Sequence, residues 1–173
     1  MTNATASAPL PPFRRVSDLL RDNARQRPQA SALADDDSAL NWAALDALVD
    51  RVAASLQQAG LHSGDVVAVC AASSVRYAAV YLGALRAGVV VAPLAPSVTP
   101  DAMASMLGDA QARLLFADAQ GRAAVPPAVM EGAGALPLVA LDDTGAGTPW
   151  IEWLAPEGAA PQPVDVGPEH PFN

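Results

Sequence analysis

The chain has 173 residues, with 18 acidic and 10 basic side chains and a formal net charge of −8. All ten basic residues are arginine, which excludes a Walker-type phosphate lysine, a Schiff-base lysine and any adenylation that needs a lysine ammonium. The acidic balance excludes a surface that coats nucleic acid, because such a surface needs clustered cations.

Apolar residues make up 51% of the chain, but 39 of them are alanine, leaving material for one modest core. Aromatics at 5% are too few for a base- or glycan-stacking platform. The single cysteine, Cys70, precludes an intramolecular disulfide framework and a multi-cysteine metal site. Two distant histidines, His62 and His170, do not make a histidine-rich cluster. No apolar run reaches the roughly 18 residues of a membrane span. Residues 1–12 have neither the basic start nor the apolar run of a secretory signal. A cytoplasmic protein is the expectation.

In chain order, residues 1–12 are small, polar and proline-punctuated, and read as a loose tail. Ser17 is the expected cap of a first helix that carries Leu19 and Leu20 and closes at Pro28. Ser31–Ala34 and Ala39–Asn41 read as short paired strands around the turn Asp35-Asp36-Asp37. Asn41 should cap a long amphipathic helix, because Trp42, Leu45, Val49, Val52, Leu56 and Ala59 recur at three- and four-residue steps. Gly60 should end it.

Val66–Cys70 is an apolar run of strand length, and Ser73 or Ser74 should cap a helix over Val75–Ala87 ended by Gly88. Val89–Ala92 is β-branched and strand-like before Pro93. Thr99-Pro100-Asp101 starts a helix to about Leu107, with Gly108 as its stop, and Arg113–Phe116 is a third strand. Strand, helix, strand, helix, strand over 66–116 amounts to two consecutive βαβ units. The expected fold class is therefore α/β, a parallel sheet with helices on both faces. The expected division is a tail at 1–12, a βαβ-containing subdomain at 13–119 and an extension at 120–173. That extension holds 9 prolines and 7 glycines, a share that predicts much irregular chain. Within it, Leu136–Leu141 could add a strand and Trp150–Leu154 a helical turn.

Each candidate for chemistry has a simpler structural account. Ala71-Ala72-Ser73-Ser74 could present amides and hydroxyls to an anion, but it lacks glycine and reads better as a capping turn. Gly83 lies inside a helix and Gly88 at its end, so neither belongs to a dinucleotide fingerprint; Gly83 should let its helix approach a neighbour closely. Cys70 sits in an apolar run with no histidine nearby, as a buried, inert thiol would. His62 belongs to a solvated turn. Asp35-Asp36-Asp37 lacks the interleaved spacing and distal glutamate of a calcium loop. Trp150 and Trp153 read as packing anchors, and Arg14, Arg15, Arg21, Arg25 and Arg27 as a solvated face paired with Asp18 and Asp22.

Three stretches, read in order, resemble the N-terminal part of the AMP-forming acyl-CoA synthetases, within the adenylate-forming superfamily. They are Leu40-Asn41-Trp42-Ala43-Ala44-Leu45, Gly64-Asp65-Val66-Val67-Ala68-Val69, and the most specific, Tyr81 through Leu94. Thr99-Pro100-Asp101 and Gln111 to Leu115 follow as in that family. Ala44 departs from the glutamate usual in the first motif, and Ala95 from a common polar residue.

The resemblance implies a ligase in which a carboxylate and ATP give an acyl-adenylate and pyrophosphate, after which the CoA thiol displaces AMP. ATP, magnesium and CoA would belong to the longer enzyme. The family's Ser/Thr/Gly-rich phosphate loop with its lysine does not occur among these 173 residues. The expectation is an N-terminal fragment ending before that loop. It would be inactive by itself, with no catalytic, cofactor-binding or metal residue, and would serve as a scaffold for the remainder of the same polypeptide. Apolar surface meant for that remainder would favour a homodimer. A stand-alone non-catalytic interaction module, or an independent nucleotide-binding domain using the strand ends, stays open at this point.

Overall fold

The computed structural model describes residues 12–132, 134–142 and 147–173; the tail expected at 1–12 lies outside them except for Pro12. Helix α1 is Val16–Gln26. Its start differs from expectation. Arg15 occupies the cap position without a side-chain cap, and Ser17 is buried inside the first turn. The Arg15 guanidinium instead binds the Asp18 carboxylate through Nε at 2.9 Å and Nη2 at 3.0 Å. An acidic side chain in the first turn answers the helix dipole where a serine cap would have bound free amides. The helix ends at Gln26 because the residue before Pro28 is pushed out of the helical region.

Strands β1 (Ser31–Ala34) and β2 (Ala39–Asn41) form an antiparallel hairpin. Helix α2 (Trp42–Gln58) follows, and the Asn41 side chain accepts from the Ala44 amide at 2.8 Å, as its sequence position predicts. Strand β3 is Val66–Cys70, α3 is Val75–Ala87 and β4 is Val90–Pro93. Gly88 ends α3 with φ +70°, a left-handed conformation that a side chain would strain.

Helix α4 (Pro100–Asp109) runs past the expected stop at Leu107. Gly108 lies inside it, and the reversal comes at Gln111, with φ 51°. Strand β5 is Leu114–Ala117. The short helices α5 (Ala119–Ala124) and α6 (Pro127–Met130) were not expected from the sequence. Strand β6 covers Leu138–Ala140, β7 is the two-residue Thr148–Pro149, and α7 is Trp150–Trp153.

Strands β3 to β7 form one parallel sheet in the order β4-β3-β5-β6-β7. Alternation along each strand divides the core into two layers. Val67, Val69, Leu114, Phe116 and Val139 pack against α2, α3 and α7. Ala68, Cys70, Leu115 and Ala117 pack against α4 through Met103 and Leu107, with Val125 and Val129 on the same side. The expected α/β sheet with helices on both faces is the observed fold. Helix α1 lies outside α2, where Leu20 meets Leu45 and Val49. Close packing of α2 on α3 depends on Gly83, because a Cβ added there would fall 2.4 Å from Val52 Cγ1.

The stretch after α7 has no regular structure but is tied along its length. The Ala155 amide donates to Ser55 Oγ at 2.7 Å, and Arg51 Nε donates to the Ala155 carbonyl at 2.6 Å. Gln57 holds the Gln162 backbone at both ends of its amide, at 3.0 and 2.8 Å. Arg15 Nη1 donates to the Val164 carbonyl at 3.1 Å, and the Val91 amide donates to the Phe172 carbonyl at 3.1 Å.

Candidate functional site

In a parallel α/β sheet, the crevice beyond the carboxyl ends of the strands is the usual place for a ligand. Here four backbone donors at that end are bound by the protein's own carboxylates. Asp118, just after β5, accepts from the Ala72 amide through Oδ2 and from the Gly121 amide through Oδ1, both at 2.7 Å. Asp142, just after β6, accepts from the Ala119 amide at 2.5 Å. Asp35 reaches from the β1–β2 turn to the start of α3 and accepts from the Val75 amide at 2.7 Å. Ser74 caps the Tyr77 amide at 3.1 Å.

The anion candidate Ala71–Ser74 is therefore a capping turn, with the Ala72 amide and the Val75 amide that follows it already bound to carboxylates. Asp35 also accepts from the Asp37 and Ser38 amides and the Ser38 hydroxyl, and these donors, led by Val75, hold its carboxyl below the usual carboxylate range. Residue type and spacing did not mark Asp35, Asp118 and Asp142 as joints between elements. Asp118 did carry a local signal, an Asp directly after an apolar strand and before a helical stretch.

The other candidates take their structural roles. Burial pushes the Cys70 thiol up to about 11, with the Asp118 charge adding to the effect, so it stays protonated at neutral pH. His62 lies exposed with Nδ1 3.7 Å from Asp65. His170 Nε2 lies 2.8 Å from the Gly88 carbonyl. Trp150 and Trp153 stack with ring centres 5.7 Å apart, and Trp153 meets Phe116 edge-on at 4.9 Å, which makes them packing anchors. Among the described residues, no three His, Cys, Asp or Glu side chains lie close enough to hold a metal ion.

Four of the early arginines pair with aspartates. Arg14 binds Asp22, Arg15 binds Asp18, Arg25 lies 3.9 Å from Asp22, and Arg21 lies 3.5 Å from Asp50. Arg27 sits 5.2 Å from the Trp42 ring centre, a cation–π contact. Arg86 stands apart. Its side chain is only 2% exposed, and it binds Asp46 and Asp50 at 2.5 and 2.8 Å and the Asp46 carbonyl at 3.0 Å. Nothing in its sequence position distinguished it from an ordinary helix-end arginine.

A concavity of about 400 Å³ lies elsewhere, between α3, the start of α1 and the C-terminal stretch. Tyr81, Leu82, Leu85 and Val89 line it from α3 and the following turn, Phe13 and Val16 from the start of α1, and His170 and Phe172 from the C-terminal stretch. Phe13 and Phe172 remain 53% and 56% exposed, so this apolar side is open.

These features define the class: a parallel α/β layer in which the Ala72, Val75, Ala119 and Gly121 amides at the carboxyl ends of the strands are bound by its own carboxylates. A sequence profile of the family described as "AMP-binding enzyme" matches residues 20–172. The chain belongs to that family of adenylate-forming ligases. It is 34% identical over 151 residues to Protein Y of Streptomyces griseus, covering 83% of this chain and 49% of that one. It is 33% identical over 153 residues to a 3-hydroxybenzoate–CoA ligase of Aromatoleum, covering 79% of this chain and 29% of the ligase. To malpibaldin synthetase of Mortierella alpina it is 34% identical over 110 residues, covering 64% of this chain and 2% of that protein.

Among solved structures, the N-terminal domain of FACL13 from Mycobacterium tuberculosis superposes with a TM-score of 0.78 at 21% identity, covering 91% of this chain and 40% of that one. The chain thus spans half or less of the length of each of these relatives.

Proposed function

We propose that this chain is the N-terminal scaffold of an ATP-dependent ligase that activates a carboxylate as its acyl-adenylate and passes it to the thiol of CoA. The carrying observation is the carboxyl end of the sheet, where Asp35, Asp118 and Asp142 fill the amide positions an anion would use. A triphosphate does not fit such an end, since it would meet carboxylates where it needs donors, and the chain supplies no lysine. ATP, magnesium and CoA belong, on this reading, to sequence that accompanies this layer in the longer enzymes. The chain contributes α2, α3 and the two-faced sheet as a rigid platform and carries out no chemistry alone. The homodimer and the cytoplasmic setting expected from the sequence stay part of this proposal.

The test is carboxylate-dependent ATP–pyrophosphate exchange, run on the 173-residue chain and on the chain joined to the catalytic remainder of a related ligase. Exchange by the joined protein and none by the chain alone is expected. Exchange by the chain alone overturns the scaffold reading, and a folded joined protein that activates no carboxylate overturns the ligase reading. The match to nonribosomal peptide synthetase 5 of Gibberella zeae, 36% identical over 103 residues, favours a second reading, an amino-acid-activating module. Comparing aryl, fatty and amino acids in the same assay separates the two.

A further inference from the structure

A second, smaller cavity of about 90 Å³ lies at the end of α3 opposite the Ser74 cap, between the start of α1 and the stretch after α7. Arg15, Ser17, Arg21 and Arg86 line it, closed over by residues 161–164. Among the described residues, the lining thus holds three guanidinium groups and no carboxylate. The aspartates that pair with these arginines, Asp18, Asp46 and Asp50, balance the charge of the cluster from outside the lining.

The donors around this space are not all met. Arg86 is 2% exposed at its side chain and gives Nη1 and Nη2 to Asp46 and Asp50, but its Nε is buried without an acceptor among the described residues. A buried N–H left in that condition costs more than a made hydrogen bond returns, so it calls for a partner. Arg21 reaches Asp50 with Nη2 at 3.5 Å, a long contact that leaves the rest of its fork available. Helix α1, 11 residues long, starts without a side-chain cap, so the positive end of its dipole and its first amides face the same region. Ser17, buried in that first turn, adds a hydroxyl.

We propose that this cavity binds a small inorganic oxyanion, phosphate or sulfate, whose oxygens accept from the Arg86 and Arg21 guanidinium groups, the Ser17 hydroxyl and the first amides of α1. Uncapped helix starts and arginine forks are the two groups that proteins most readily turn toward such an ion. The space is several times the roughly 10–15 Å³ that one water needs, so it admits a larger occupant. A water accepts only two hydrogen bonds, whereas a tetrahedral oxyanion accepts from every donor named here. Once bound, the ion ties α1 and α3 to residues 161–164, beside the bond from Arg15 Nη1 to the Val164 carbonyl. This site is independent of the ligase reading.

The test is a titration of the ¹⁵N-labelled chain with inorganic phosphate, chloride being withdrawn to hold ionic strength constant. The Arg86 Nε–H signal, assigned by through-bond correlation to its own backbone, should move downfield and saturate, with a midpoint below about 10 mM. Sulfate should compete for the same shift. At ten times the midpoint the melting temperature should rise by about 3 °C or more, as linkage requires for a ligand of the folded state at this chain length. Arg21→Gln removes a part-exposed cation and should raise the midpoint by about fivefold or more. Ser17→Ala, which deletes only the hydroxyl, serves as the second variant and should raise it as well. An Nε–H signal that phosphate leaves in place, a shift that never saturates, or equal midpoints in the parent and both variants overturns the proposal. So does a water cross-peak to Nε–H that persists at saturating phosphate, because the cavity then belongs to water.

Discussion

Gly121 and Gly83 show how far this fold depends on a missing Cβ. A Cβ at Gly121 would lie 1.5 Å from the Cys70 carbonyl oxygen, which is backbone of a central strand and cannot step aside. Gly121→Ala should therefore destabilise by about 3 kcal/mol or more, the upper range for overpacking, measured by urea unfolding. At Gly83 the obstacle is the Val52 side chain, which can be shortened. Gly83→Ala should cost about 1–3 kcal/mol, and adding Val52→Ala should recover part of it in a double-mutant cycle. If the two changes simply add, the contact is not the cause.

Asp118 makes a complementary case, since one carboxylate serves two amides from different elements. Asp118→Ala should cost about 2 kcal/mol, because loss of a cap leaves the Ala72 and Gly121 amides without their acceptor.

Between elements, α1, α2 and α3 meet through charge as well as packing. Arg86 joins Asp46 and Asp50 of α2, and Asp50 also lies within reach of Arg21 of α1. Arg86→Ala strands two part-buried carboxylates and should cost about 3 kcal/mol, read by the same denaturation experiment. The sequence pattern revealed the elements well wherever one period dominated. The α2 periodicity, the Asn41 cap and the β-branched runs of β3 and β4 each agree with the structure.

It failed where tertiary contacts decide. Strand β7 is two residues long and exists only because β6 offers an edge, and α4 runs through Gly108 because a single helical glycine costs little. At the candidate positions, the Ser74 cap, the buried Cys70 and the packed pair Trp150 and Trp153 follow from residue type and spacing. The carboxylates of Asp35 and Asp142 that close the strand ends did not, because their partners lie 40 and 23 residues away in sequence.

For the whole molecule, acid sensitivity follows from three carboxylates. Asp18, Asp35 and Asp65 are each held below the ordinary value, by the Arg15 guanidinium, the Val75 amide and the His62 amide respectively. A carboxyl depressed in the folded state stabilises fully above its unfolded value and loses that contribution as pH falls toward the folded one. Stability to urea should thus be flat with respect to these groups near neutrality and decline as the solution is acidified through the carboxylate range. The Asp18→Asn variant should show a shallower decline. A chain whose stability rises on acidification through that range would contradict these depressed values.

The sealed thiol of Cys70 has a practical corollary. Because the sole sulfhydryl lies in the sheet interior with its ionisation pushed up to about 11, maleimide and spin-label reagents have no native target in the folded protein. A cysteine placed at Ile151, which is 72% exposed, would then be the single reactive handle for fluorescence or electron paramagnetic resonance, with no background substitution required.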